Sequence, residues 1–170
     1  MLPAIALARE ITLRAATASD AESVAAIWYA GWKEAHLGNV PGELVAARTE
    51  DSILSRARER VPDTTVAVVG REIAGFVMVE GDEVDQVYVA AEHRGEGVAG
   101  PLLDAAERRI RDGGFDTAWL AVVAANERAR RFYARRGWVD RGLFDHTAPG
   151  PDGPITVPAH RYEIDLTHRT

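Results

Sequence analysis

The sequence predicts a mixed α/β fold of the α+β kind, in which helices cover a central, mostly antiparallel sheet. Three observations carry this. Strand-like and helix-like runs follow one another in the order β-α-α-β-β-β-α-β-α-β-β. Three consecutive runs, "TTVAVVG", "EIAGFVMVE" and "EVDQVYV", are joined only by the turns "GR" and "GD", which leave no room for crossover helices and so read as an antiparallel meander. Two later amphipathic runs, "PLLDAAERRIRDGG" and "NERARRFYARRG", end on glycine, as helices capped at the C-terminus do.

The elements follow in order. "ITLRAAT" is a short strand. After it, Ser19 and Glu22 form the S-x-x-E arrangement of a capping box that opens a helix carrying Val24, Ile27, Trp28 and Trp32 at helical spacing. Gly and Pro in "LGNVPGE" mark a loop, and "TEDSILSRARER" is a second helix. Beyond the meander and the third helix, "TAWLAVV" is a buried strand and "NERARRFYARRG" a fourth helix. "WVDRGLF" and "HRYEIDL" are a closing pair of strands joined by the Pro- and Gly-rich stretch "DHTAPGPDGPITVPA", expected as a long loop.

With 170 residues, 46% hydrophobic and 27% charged, the chain is expected to form a single globular domain over 1–170, with residues 1–9 as a loose leader. A net charge of −6 argues against a nucleic-acid partner, since phosphate binding rests on clustered Lys and Arg. The absence of cysteine removes disulfides, thiolate-ligated zinc and a thiol nucleophile. His36, His93, His146, His160 and His168 show no ligand spacing, so no metal is expected. No run is long and apolar enough for a membrane partner, and a cytoplasmic protein is the expectation.

The stretch "RGEGVAGPLL" places Gly95, Gly97 and Gly100 in G-x-G-x-x-G spacing. A dinucleotide fingerprint would put the first glycine directly after a strand and a carboxylate at the end of the next one. Here "AAEHR" separates Val89 from Gly95, and the next strand ends "LAVVAA", which disfavours a nicotinamide-dependent oxidoreductase. The physics shared by both arrangements remains: bare N–H groups at a glycine turn and a helix N-terminus favour a phosphate-bearing ligand. Pro101 requires the helix to begin close to Val98 or Ala99, because proline is tolerated only in a first helical turn.

"EVDQVYVAAEHRGEGVAGPLLDAAERRI" followed by "WLAVVAANERARRFYARRGW" resembles the GCN5-related N-acetyltransferases, closely over residues 83–138. Arg94, Gly97 and Ala99 fit the family's R/Q-x-x-G-x-G/A pyrophosphate motif. Asn126, Ala129, Phe132, Tyr133, Gly137 and Trp138 fit its N-x-x-A-x-x-F-Y-x-x-x-G-F/W signature. The resemblance implies a sheet of about seven strands, splayed between the fourth and fifth, flanked by about four helices. It implies acetyl-CoA as cosubstrate and an amine acceptor, either a small molecule or a peptide, and homodimers are frequent in the family. The backbone of Val87, Tyr88 and Val89 would hold the pantetheine arm and the thioester oxygen. The N–H groups of Gly95, Gly97, Val98, Ala99 and Gly100, with Arg94, would hold the pyrophosphate, and Asn126 would meet the cofactor while capping its helix.

Tyr133 matches the family's tyrosine near the sulfur, where a phenol can give a proton to the departing thiolate. Glu83, at the start of the splayed strand and on the face of Asp85 and Val87 by alternation, is the candidate base for the attacking ammonium. The acceptor would lie against the first two helices, their linker and the loop between the last strands, which supply Trp28, Tyr29, Trp32, His36, Asp145 and His146. Trp28 and Trp32 equally form a core stripe. Scattered carboxylates near that cleft suggest a cationic acceptor. Direct transfer in a ternary complex is expected, the alternative being an acyl-CoA-binding sensor that has lost the transfer chemistry.

Overall fold

A computed structural model describes residues 9–168, so the leader expected over residues 1–9 lies, Arg9 apart, outside the described residues. In chain order the elements are β1 (Ile11–Ala15), α1 (Ala21–His36), α2 (Gly42–Ala47), α3 (Glu50–Glu59), β2 (Thr64–Val69), β3 (Glu72–Glu80), β4 (Glu83–Val89), α4 (Ala99–Asp112), β5 (Thr117–Val122), α5 (Glu127–Arg135), β6 (Val139–Ala148) and β7 (Ile155–Asp165). The strands form one sheet in the order β1-β2-β3-β4-β5-β7-β6. Every neighbouring pair is antiparallel except β4 and β5. No helix among the described residues is long and apolar enough to cross a membrane.

Period-two alternation sorts the core into two layers. Val77, Val79, Val84, Val87 and Val89 turn to the face covered by α4, whose Leu102, Leu103, Ala106 and Ile110 recur at helical spacing and are buried. Phe76, Met78 and Tyr88 turn to the other face, under Trp28 and Trp32 of α1, Leu44 of α2 and Ile53 of α3. The strand β4 keeps Val84 and Val87 on one face only because its register shifts opposite Met78 and Val79, which makes Asp85 the extra residue of a bulge. Glu83 and Asp85 therefore share a face, as expected, but Val87 lies on the opposite one.

Three local expectations are corrected. The segment read as a loop holds a short helix, α2, which starts directly after Pro41 and buries Leu44. The capping box ahead of α1 is built two residues early, from Thr17 and Asp20: the Asp20 carboxylate accepts from the Thr17 N–H at 2.7 Å and from both Arg14 guanidinium arms at 2.7 and 3.0 Å. The Arg14 guanidinium and the Thr17 groups hold that acid down at about 2. The stretch expected as a long loop between the last strands is mostly hairpin, since β6 reaches Ala148, β7 starts at Ile155, and only 149–154 connect them. Pro158 fits inside β7 because residues 155–159 run past the end of β5 and pair with β6 alone.

Candidate active site

A single bridge, Glu83 with Trp119, joins β4 to β5, and from there the two parallel strands part. The closed end of this V is fixed by Trp119, whose backbone N–H donates to the Asp82 carbonyl at 3.1 Å and whose indole donates to the Asp82 carboxylate at 3.0 Å. Which backbone groups of β4 face the opening follows from the ladder. Ala90 donates to the Ala74 carbonyl at 2.8 Å, and Tyr88 stands opposite Phe76 in the same register, so Ala90, Tyr88 and Gln86 bond to β3. The intervening Val87 and Val89 turn their N–H and C=O groups away from β3, toward the V. Of the three residues expected to hold a thioester arm through their backbones, Tyr88 belongs to the β3 ladder and lines the cleft with its side chain instead. Its ring sits against Gly31 of α1, where a Cβ would collide with the ring, so only glycine admits it.

At the mouth of the V the chain turns through Gly95 (φ +80°) and Gly97 (φ +78°), which place it in the left-handed region that glycine adopts freely. Helix α4 begins at Ala99 after Val98, with Pro101 in its first turn as required. The first bond of the helix runs from Leu102 N–H to the Val98 carbonyl at 3.5 Å. The N–H groups of Gly97, Val98, Ala99 and Gly100 have no acceptor among the described residues and lie at the positive end of the helix dipole. Arg136 closes over this turn: it donates to the Gly100 carbonyl at 3.4 Å and to Asp104, and a Cβ at Gly100 would meet its guanidinium at 3.0 Å. Arg94, expected beside the glycines, is held by Glu34 of α1 in a bidentate pair.

Glu96 sits within this glycine turn, and His93 restrains it. His93 is buried, with Nδ1 2.8 Å from Glu96 and Nε2 2.7 Å from Glu72 of β3. Glu96 and then Glu72 raise its pKa above the ordinary value, because both ring nitrogens face carboxylates and the imidazolium is the favoured form. The stabilisation is complete below the ordinary histidine range and is lost as pH rises through the raised value. Thermal midpoints should fall across that interval on the alkaline side, and His93→Gln should remove that part of the pH dependence in melts recorded from pH 6 to 9.

Two phenols and a set of carboxylates converge on the opening, a cleft of 330 Å³. Tyr133 of α5 is packed among Phe132, Trp138 and Tyr162, and it lines the cleft beside Asn126, Ala129 and Val122. Burial drives the Tyr133 pKa far above that of an ordinary phenol, so it keeps its proton. The Tyr88 phenol is raised likewise, first by burial and then by the nearby Tyr133. Asn126 accepts from the Ala129 N–H at 3.2 Å as the cap of α5, and it also lines the cleft. Glu83 is largely shielded and lies 3.4 Å from His146 Nε2. The carboxylate oxygens of Glu80, Glu83 and Asp85 fall within 4.8 Å of one another, and Asp85 already binds Arg60 at 2.7 Å.

On the α1–α3 side, the cleft is walled by Trp32 and His36, whose rings stack at 4.9 Å, and by Leu44, Arg48, Arg56 and Arg60. Burial lowers the His36 pKa, so this ring is neutral at physiological pH. Of the residues expected against the acceptor, Trp32, His36 and His146 meet here. Trp28 does not: it is fully buried, with Phe76 6.0 Å away and the Arg56 guanidinium over its ring. Tyr29 and Asp145 also lie outside the cleft lining. Asp145 belongs to β6 opposite Pro158, on the face of the strand turned away from His146.

The sequence model of the Acetyltransferase (GNAT) family matches residues 22–138. The chain belongs to this family. Relatives of the GNAT chain include an uncharacterised N-acetyltransferase of Mycobacterium tuberculosis and another of Mycobacterium bovis. Each is 31% identical over an alignment of 103 positions, and the match covers 54% of this chain and 66% of the relative. Solved structures with the same fold include a GCN5-related N-acetyltransferase from Rhodopseudomonas palustris (TM-score 0.71, 22% identity, 94% of this chain and 98% of that one). An N-acetyltransferase from Staphylococcus aureus Mu50 gives 0.71 at 18% identity, with 93% and 99% covered. The yncA protein of Salmonella typhimurium, solved with its cofactor acetyl-CoA, gives 0.67 at 16% identity, with 95% and 96% covered.

Sequence reasoning missed several residues of this GNAT cleft. Arg48, Arg56 and Arg60 arrive from α2, α3 and the turn after it, so only tertiary packing brings them together. Gly31 carried a legible signal, a glycine inside an amphipathic helix, which marks a close approach.

Proposed function

We propose that the protein transfers the acetyl group of acetyl-CoA to a primary amine by direct attack in a ternary complex. The observation that carries this is the parted β4–β5 edge, which lines the cleft, together with the helix N-terminus that follows β4 in the chain and whose N–H groups lack partners among the described residues. The glycines fit a diphosphate: at Gly95 and Gly97 an added Cβ would meet nothing within 4 Å, and the left-handed backbone leaves the amides bare. Bound there, acetyl-CoA supplies an activated thioester carbonyl.

The chain's own groups do the rest. Backbone N–H groups of Val87 and Val89 are oriented to bond an arm laid in the V and to favour negative charge on a carbonyl oxygen placed against them. Glu83, supported by His146, takes a proton from the acceptor ammonium, directly or through one water. Tyr133 holds its proton at neutral pH and is positioned to release it toward the sulfur side of the cleft. An acyl-CoA sensor without chemistry would not need a protonated phenol and a shielded carboxylate lining the same opening, which favours transfer.

The test is a panel of amines incubated with acetyl-CoA while free thiol is measured, with coenzyme A affinity read by calorimetry. Turnover with any amine supports the proposal. Tight coenzyme binding without turnover supports the sensor, and absence of binding removes both.

A further inference from the structure

The acceptor side of the cleft carries more positive charge than an acetyltransferase for simple cationic amines should tolerate. Arg48 of the α2–α3 junction is buried, spends one arm on the Pro149 carbonyl at 2.7 Å and lines the cleft. Arg56 of α3 lies with its guanidinium 4.9 Å from the centre of the Trp28 ring, and it too lines the cleft. Among the described residues neither has a carboxylate in ion-pair contact, whereas Arg60 beside them has two, Asp63 at 2.9 Å and Asp85 at 2.7 Å. Even so, the second arm of Arg60 is buried without a partner. Burial and then the neighbouring Arg56 pull Arg48 down to about 10, burial is the main cause that lowers Arg56, and the attraction of Asp85, already paired with Arg60, offsets this only in part. Desolvated guanidinium groups that repel one another are costly to hold unless an anion joins them.

The same cleft has an opposite pole. Glu80, Glu83 and Asp85 cluster at the β3–β4 end, and the Arg60–Asp85 pair marks where the acidic and basic walls meet. Helices α1–α3 cover the sheet face opposite α4, so the arginines lie across the sheet from the glycine turn and are not part of that anion site. A polyamine or an aminoglycoside would set a second ammonium against Arg48 and Arg56. The cleft is also small, 330 Å³, and must share its space with the thioester end of the donor.

We propose that the acceptor is a small amino acid-like molecule, its amine directed to Glu83 and a carboxylate on the same molecule bound by Arg48 and Arg56. This rests on the acetyl-transfer function proposed above and names its substrate class. Guanidinium forks suit a carboxylate because they donate two parallel hydrogen bonds to its oxygens. The bipolar cleft orients such a molecule, and it discriminates against the same amine without its acid.

The experiment compares free amino acids with their decarboxylated amines, their α-amides and spermidine as acceptors, with aminophosphonate analogues added to separate carboxylate from phosphonate recognition. The carboxylate-bearing acceptor should exceed its decarboxylated partner in kcat/KM by about 10- to 100-fold, mostly through KM. Arg48→Gln and Arg56→Gln should each shrink that ratio toward unity. Arg56 is less buried than Arg48, so Arg56→Gln carries the test if Arg48→Gln does not fold. Calorimetric titration of coenzyme A-saturated protein with an amino acid and with its decarboxylated amine reads the same preference without turnover. Equal or better use of the decarboxylated amine, the amide or spermidine overturns the inference while leaving acetyl transfer standing, as does a preference unchanged in both variants. A preference for the aminophosphonate over the carboxylate overturns the carboxylate assignment. Failure of the transfer proposal itself appears differently, as coenzyme binding without thiol release from any amine.

Discussion

Tyr133→Phe should lower kcat by about 10²- to 10³-fold and leave the dissociation constant of coenzyme A nearly unchanged. Only a hydroxyl is lost. The ring stays among Phe132, Trp138 and Tyr162, so the helix and the cleft wall are preserved. The hydroxyl carries a proton that burial retains far into the alkaline range, so a donor is present wherever the protein is folded at neutral pH. Rate profiles should accordingly show no alkaline decline from this group below the ordinary phenol range. Tyr88→Phe is the informative companion, because that phenol is also protonated, also lines the cleft and lies close enough to Tyr133 for Tyr133 to raise its pKa. If Tyr133 is the donor, the larger loss belongs to it. A reversed order would move the acid role to Tyr88, and unchanged rates in both variants would remove it from both positions.

The two phenols also show how far the sequence could be read. Tyr133 was legible because its place in a helix, seven residues after a capping asparagine, is local information. The glycine turn was legible for the same reason, and Pro101 alone bounded the start of α4. The division of labour along β4 was not. Alternation from Glu83 gives a wrong phase at Val87, since Asp85 is inserted as a bulge, and a bulge is set by the partner strand rather than by the strand's own pattern. Likewise the Pro- and Gly-rich stretch after Phe144 carried loop chemistry, yet pairing with β7 extends β6 to Ala148. The arginine wall depends on α2, a helix with one buried leucine and no sequence-level start signal beyond Pro41. What remained hidden was tertiary, and it lies on the α1–α3 side of the cleft.

Gly97→Glu should weaken coenzyme A binding by about 100-fold or more, the sum of two effects that can be separated. At φ +78° a residue with a Cβ is strained by about 1–2 kcal/mol, and the new carboxylate stands among the N–H groups that would otherwise meet a diphosphate. Gly114→Glu supplies the control: φ is +96°, the space around it is open, and it lies past the far end of α4. It carries a similar backbone cost without touching the anion site, so it should lower thermal stability and spare coenzyme affinity. Gly97→Ala should fall between the two, since it strains the turn but adds no charge. Raising ionic strength should recover part of the loss in Gly97→Glu and none of that in Gly97→Ala, because salt screens the exposed carboxylate and leaves backbone strain untouched. Equal losses in Gly97→Glu and Gly97→Ala would mean that the turn's shape matters and its electrostatics do not. Unchanged affinity in both would place the diphosphate away from the start of α4, and the open amides there would need another explanation.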